Sequence, residues 1–149
     1  MYVKRIICCI VMLSVVFVLA GCRSEVKDDF IDFVRSPPLI AEDVVMETEF
    51  REYDGKTERI YVTLINNRDE DFLHSKHFFL QKLDGNEWRY INVGGFFELA
   101  GCAAPPHWKG TRFFDLKDHV KLPLCPGTYR VGYVKDNDEG TPVAEFTVK

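Results

Sequence analysis

The hydrophobic pattern divides the chain into three parts. The first is an apolar run from Ile6 to Ala20, broken only by Ser14 and preceded by Lys4 and Arg5. It falls short of the roughly 20 residues a membrane-spanning helix needs, and with its basic flank it reads as an export signal. The second runs from Ser24 to Arg35, where Val26, Phe30, Phe33 and Val34 recur at helical spacing behind Ser24 as an N-cap. That pattern fits a short amphipathic helix, or a tether with transient helicity, which Pro37-Pro38 ends.

Beyond Val44 the period changes from helical to two. Val44, Met46, Thr48 and Phe50 alternate with Val45, Glu47 and Glu49; Ile60, Val62 and Leu64 alternate with Tyr61, Thr63 and Ile65 until Asn66-Asn67 stops the run. Phe78 to Leu83 forms a third strand, and Asp84-Gly85-Asn86 turns it into Glu87 to Val93 as a hairpin. Arg112 to Leu116, Thr128 to Lys135 and Val143 to Val148 bring the total to about seven short strands, with no long helix after Pro38. Such a series predicts an all-β sandwich.

Composition narrows the class further. Of 149 residues, Lys+Arg number 19 against Asp+Glu 23, a net charge of −4. Removing a 21-residue signal leaves 128 residues and, without Lys4 and Arg5, a net charge of −6. That length suits one domain. The acidic balance argues against nonspecific binding to nucleic acid or to anionic headgroups, and the composition excludes collagen, coiled coil and a polytopic membrane protein.

The signal ends in Leu19-Ala20-Gly21-Cys22. This resembles the bacterial lipobox, which implies cleavage before Cys22 and a diacylglyceryl group on its sulfur. A single acyl chain anchors only marginally, so two or more are needed for stable attachment. The expected organisation is therefore a signal over residues 1–21, a lipidated Cys22 and tether over 22–43, and a sandwich over 44–149. The expected location is the outer face of the cell membrane, with a lipid anchor and no spanning segment. Arg23 stands where an Asp would suggest inner-membrane retention, so an outer-membrane location is also open in a bacterium with two membranes.

Cys8 and Cys9 leave with the signal. Cys102 and Cys125 remain, an even pair in a compartment that permits disulfides. A bridge between them would close a loop of 23 positions, worth about 3 kcal/mol if unstrained. The competing reading, Cys102 as a nucleophile with His107 as base, lacks an orienting partner and an oxyanion site.

One segment carries a resemblance. Leu122-Pro123-Leu124-Cys125-Pro126-Gly127-Thr128-Tyr129-Arg130-Val131 looks like the tyrosine corner of a Greek-key sandwich, with Tyr129 satisfying a backbone group upstream. Phe79-Leu80-Gln81-Lys82-Leu83-Asp84-Gly85-Asn86-Glu87-Trp88 and the closing Ala144-Glu145-Phe146-Thr147-Val148 extend the match, as does the strand from Ile60 to Asn67. Together they resemble the bacterial immunoglobulin-like domains of small lipoproteins from Firmicutes and related bacteria. The resemblance covers Val44 to Val148 and implies an Ig-like Greek-key fold; it says little about function, because such sandwiches host unrelated roles. Cys102, Cys125 and the His74-Ser75-Lys76-His77 stretch depart from the family pattern.

Candidate chemistry is sparse. His74 and His77, three apart just before a strand, would face opposite sides of a sheet and so read as exposed loop histidines, not a zinc pair. Asp136-Asn137-Asp138-Glu139-Gly140 lacks the framework of a calcium loop and reads as a solvated turn, as does Asp69-Glu70-Asp71. No cofactor or metal is expected. Trp88 and Tyr90 fit a core strand, whereas Trp108, after Pro105-Pro106-His107, is a candidate binding anchor with His107 beside it, or a plug for one end of the sandwich.

These observations favour a non-catalytic, membrane-anchored binding domain for an unknown protein or cell-envelope partner. The alternative is an inhibitor or regulator of an extracytoplasmic enzyme that uses the Gly101–Gly110 loop. A third class, a metal enzyme, would be revealed by stoichiometric metal in the purified protein.

Overall fold

The computed structural model describes residues 27–31, 38–98, 100–134 and 140–149. The export signal, Cys22 and most of the Asp136–Gly140 turn lie outside them. The described residues form ten strands: β1 (Val44–Thr48), β2 (Glu52–Tyr53), β3 (Arg59–Asn66), β4 (Phe72–His74), β5 (Phe78–Asp84), β6 (Glu87–Ile91), β7 (Cys102–Ala104), β8 (Lys109–Asp115), β9 (Gly127–Tyr133) and β10 (Val143–Val148). The described residues contain no helix.

One sheet has the order β1-β3-β8 and the other β2-β10-β9-β5-β6, with β4 and β7 forming a separate pair. Neighbours are antiparallel except β2, which runs parallel to β10. The period-two pattern sets which side chains meet. Ile60, Val62 and Leu64 of β3 turn inward together with Phe114 of β8, and across from them Leu80, Tyr129, Val131 and Phe146 are buried from the other sheet. The sequence misses β2, β4 and β7 because two or three residues cannot show a period. It starts β8 three residues late because Gly110 supplies no apolar side chain at an inward position.

Two side chains fasten the loops. Tyr129 donates its hydroxyl hydrogen to the Cys125 carbonyl at 2.7 Å, which is the tyrosine-corner bond. Asn66, fully buried at the end of β3, has Nδ2 within 2.8–2.9 Å of the carbonyls of Glu70, Ala104 and Pro105, and its Oδ1 accepts from Arg68 N–H at 3.0 Å. One amide thus ties three chain segments to the same end of the sandwich, supplying polar partners the buried carbonyls would otherwise lack.

The segment before the sandwich is where expectation and structure part. Residues 27–31, the described portion of the Ser24–Arg35 segment read as a short helix or a tether, are not helical, and 29–31 lie along the edge of β6. Phe30 bridges Ile91, Ile31 N–H donates to Tyr90 O at 3.1 Å, and Asn92 N–H donates to Asp29 O at 2.7 Å. The open edge of β6 offers hydrogen bonds that a lone amphipathic turn cannot match, and Phe30 packs against the core under Arg89, 3.9 Å away. Ile40 likewise bridges Thr141.

Candidate functional site

The residues that the sequence nominates are scattered. Trp108 does not stand free. Its ring lies across Gly110, where a Cβ would come within 2.0 Å of it, and Arg112 covers the other face at 4.2 Å. It is partly buried against the core, so it plugs the Asn66 end of the sandwich in place of serving as a projecting anchor. His107 is exposed at the turn that precedes it, with a φ of 54° and its Nε2 2.9 Å from Asp69 Oδ1. The Gly101–Gly110 stretch does not project either: Cys102–Ala104 forms β7 against β4, and Lys109 already belongs to β8.

The expected Cys102–Cys125 bridge does not form in the structure. Cys102 faces His74 across the β4–β7 pair, next to Tyr133 at the end of β9, whereas Cys125 precedes the start of β9. The length of a seven-residue strand, about 20 Å, separates those ends, far beyond disulfide reach. Burial first, then the adjacent Asp28 carboxylate, push the Cys125 thiol above its ordinary range. Cys22 lies outside the described residues.

His74 is buried, not an exposed loop residue, and stacks on Phe72 (5.8 Å) and Tyr133 (4.2 Å). Its Nδ1 is 3.0 Å from Ser75 O. His77 turns to Phe97 (4.5 Å). Among the described residues no group of three His, Cys, Asp or Glu side chains converges to hold a metal ion.

A concave feature of the surface lies elsewhere, beside β8. Among the described residues this strand pairs only with β3. Leu116 N–H donates to Glu58 O and Asn66 N–H to Trp108 O, which fixes the phase of the ladder and turns the backbone groups of Thr111, Phe113 and Asp115 away from β3. Alongside this edge runs an open cleft of about 570 Å³. Phe78, Phe114 and Tyr133 form its floor, their rings 5.0–5.3 Å apart across Phe114. Phe97 forms a wall, stacked on His119 at 4.0 Å and 10°. His119 is held in turn by Gly94 O, which accepts from Nδ1–H at 2.8 Å.

The rim is both aromatic and charged. Phe96 is wholly exposed and Phe113 half-exposed beneath the Arg59 guanidinium at 4.4 Å. Lys76 pairs with Glu98 across the mouth, which holds the Glu98 carboxyl below its ordinary range. Burial pushes the Tyr133 phenol well up, so it stays neutral in the floor. The sequence gives little signal for this cleft, because its residues come from five separate segments and none has a motif.

Two packed sheets, a strand β2 parallel to β10 and a tyrosine corner at the start of β9 define an immunoglobulin-like β-sandwich. The bacterial Ig-like domain family matches residues 41–147, and the chain belongs to that family. Comparison with the curated proteins finds no match. Solved structures that resemble it include an alkylpurine DNA glycosylase from Pseudomonas fluorescens bound to DNA with an abasic site analogue. That pair is 15% identical, with a TM-score of 0.40 over 72% of this chain and 30% of the other. A β-glucosidase from Erythrobacter marinus is 16% identical, with a TM-score of 0.40 over 70% of this chain and 15% of the other. One from Kluyveromyces marxianus is 16% identical, with a TM-score of 0.39 over 71% and 14%. This chain therefore spans less than a third of each of these proteins.

Proposed function

We propose that this protein is a lipid-anchored, non-catalytic interaction module on the outer face of a bacterial membrane, and that it binds its partner in the cleft beside β8. The lipobox-like Leu19-Ala20-Gly21-Cys22 supports the anchor. The observation that carries the interaction reading is the cleft itself, an open strand edge flanked by the exposed rings of Phe96 and Phe113. Aromatic rings at a surface supply large contact area at little entropic cost, and an open edge offers main-chain hydrogen bonds to an extended segment. Attachment to a surface raises effective concentration, so modest affinity suffices.

The inhibitor reading required the Gly101–Gly110 loop to project into an enzyme cleft. Its β-pairing and the flat Trp108 ring leave it little to insert, so the cleft is preferred. Two measurements test the proposal. Cys22→Ser is expected to move the protein from the membrane fraction to the soluble one; unchanged membrane retention sinks the anchor. Crosslinking in intact cells is expected to give a partner set that Phe96→Ser/Phe113→Ser loses and Trp108→Phe keeps.

A further inference from the structure

The described residues nearest Cys22 are bound to the sandwich. Lys82 Nζ donates to Asp28 Oδ2 at 2.5 Å, with both side chains largely buried (11% and 18% exposed). Two residues on, Phe30 is clamped between the core and Arg89, and the backbone of 29–31 bonds to β6. Only six residue steps separate Cys22 from Asp28, a contour of about 20 Å when fully stretched.

The topology shows which end of the molecule this is. Lys82 pairs with Tyr129, so the β5–β6 turn lies beside Gly127; Val148 pairs with Gly127 and with Tyr53; Leu124 N–H donates to Gly55 O. The loops 54–57, 84–87 and 121–126 therefore share one end with Asp28. Asn66, Trp108, His74 and Tyr133 mark the opposite end, about 20 Å away along β9.

We propose that residues 27–31 latch the lipid anchor to the sandwich, so that the domain stands on the bilayer by the end carrying loops 54–57, 84–87 and 121–126. The cleft floor at Phe78 and Tyr133, paired at the far end of β9, then lies remote from the lipid. This inference rests on the anchoring of Cys22 proposed above and adds that residues 27–31 are an orienting strap.

The two tryptophans read the orientation, since Trp88 adjoins the β5–β6 turn and Trp108 lies at the far end. Each ring sits under a guanidinium, Arg130 at 4.4 Å and Arg112 at 4.2 Å, so their surroundings are comparable. The mature lipidated chain is reconstituted in phosphatidylcholine vesicles carrying a dansyl-headgroup lipid, as Trp108→Phe and as Trp88→Phe. Energy transfer to the headgroups is expected to be at least threefold more efficient from Trp88 than from Trp108. Lys82→Met, or Phe30→Ser acting from the strap side, is expected to erase the difference. Equal transfer in the two otherwise unaltered chains overturns the orientation.

The strap is read separately by amide exchange on the Cys22→Ser chain, which needs no lipid. The Ile31 and Asn92 amides are expected to be protected, and to exchange at least tenfold faster with Lys82→Met while Val131 and Phe146 stay protected. Free exchange of Ile31 and Asn92 before that substitution overturns the latch. Vesicles that fail to float the Cys22 chain overturn the anchor and the orientation with it, whereas protected amides beside such a failure would show that the anchor, not the latch, was at fault.

Discussion

Asp28 and Lys82, 54 positions apart, meet at 2.5 Å beside the tyrosine corner, and the same carboxylate lies 3.2 Å from the Tyr129 hydroxyl. Gly127 makes the approach possible: a Cβ there would come within 2.6 Å of Lys82 Cε. The corner, the strap and the β5 lysine are therefore one cluster.

Removing one charge leaves the other partly buried without its partner. Lys82→Met is expected to cost about 1–3 kcal/mol, below the range for a fully enclosed pair because some solvent reaches both groups. Asp28→Asn/Lys82→Met together should cost less than the sum of the single changes. Urea midpoints of the four proteins measure this directly; strict additivity would contradict the pairing.

Tyr129→Phe keeps the ring in the core and removes the hydroxyl that bonds Cys125 O at 2.7 Å and lies 3.2 Å from Asp28. The expected loss is about 1–2 kcal/mol, from a carbonyl left short of its donor. The urea midpoint should fall with an unchanged slope.

Much of this fold was legible in the sequence because alternation over five to eight residues, as in β3 and β10, survives any tertiary context. Tyr129 was legible because Pro126-Gly127 and the tyrosine encode their geometry locally. The strap was not: the sequence left the segment as helix or tether, and the bonds that hold residues 29–31 come from Tyr90 and Asn92, far along the chain. For Trp108 the sequence left two readings open, anchor or plug, and only the packing decides between them. An aromatic after two prolines looks exposed until Gly110, two residues on, offers it a flat bed. The cleft was illegible altogether, since proximity of His119 to Phe97 is a product of folding alone.

The thiols give a redox prediction. Reducing agent is expected to leave the melting temperature unchanged, and both Cys102 and Cys125 should react with a thiol reagent once the chain is unfolded. In the folded protein Cys125 alkylation should require a higher pH than an ordinary thiol, because burial and the Asp28 carboxylate disfavour its thiolate. Mass mapping of alkylated peptides across pH distinguishes this from a bridged pair.

Alkaline stability follows from the tyrosines. Tyr129 and Tyr133 are raised in the fold, both chiefly by burial, and the second-largest influence on Tyr129 is the Asp28 charge. The unfolded chain ionises them first, from about pH 10, so above that pH it binds fewer protons than the native state and stability declines as pH rises. Below it their contribution is fully present. Denaturation curves should therefore hold steady from pH 8 to about 9.5 and weaken beyond, and Tyr133→Phe should blunt the decline.

The cleft and the Trp108 plug are expected to separate stability from binding. Phe96 touches little of the protein, so Phe96→Ser should change stability by less than about 0.5 kcal/mol. Trp108→Ala uncovers Gly110 and strands Arg112 above an empty site, and should cost about 2 kcal/mol, less than for a fully buried ring because Trp108 is only partly enclosed. Partner capture in cells should show the reverse order, lost with Phe96→Ser and kept with Trp108→Phe. If Trp108→Phe abolished capture while its melting temperature stayed within a degree of the parent, recognition would belong to the Asn66 end of the sandwich and the cleft would lose its claim.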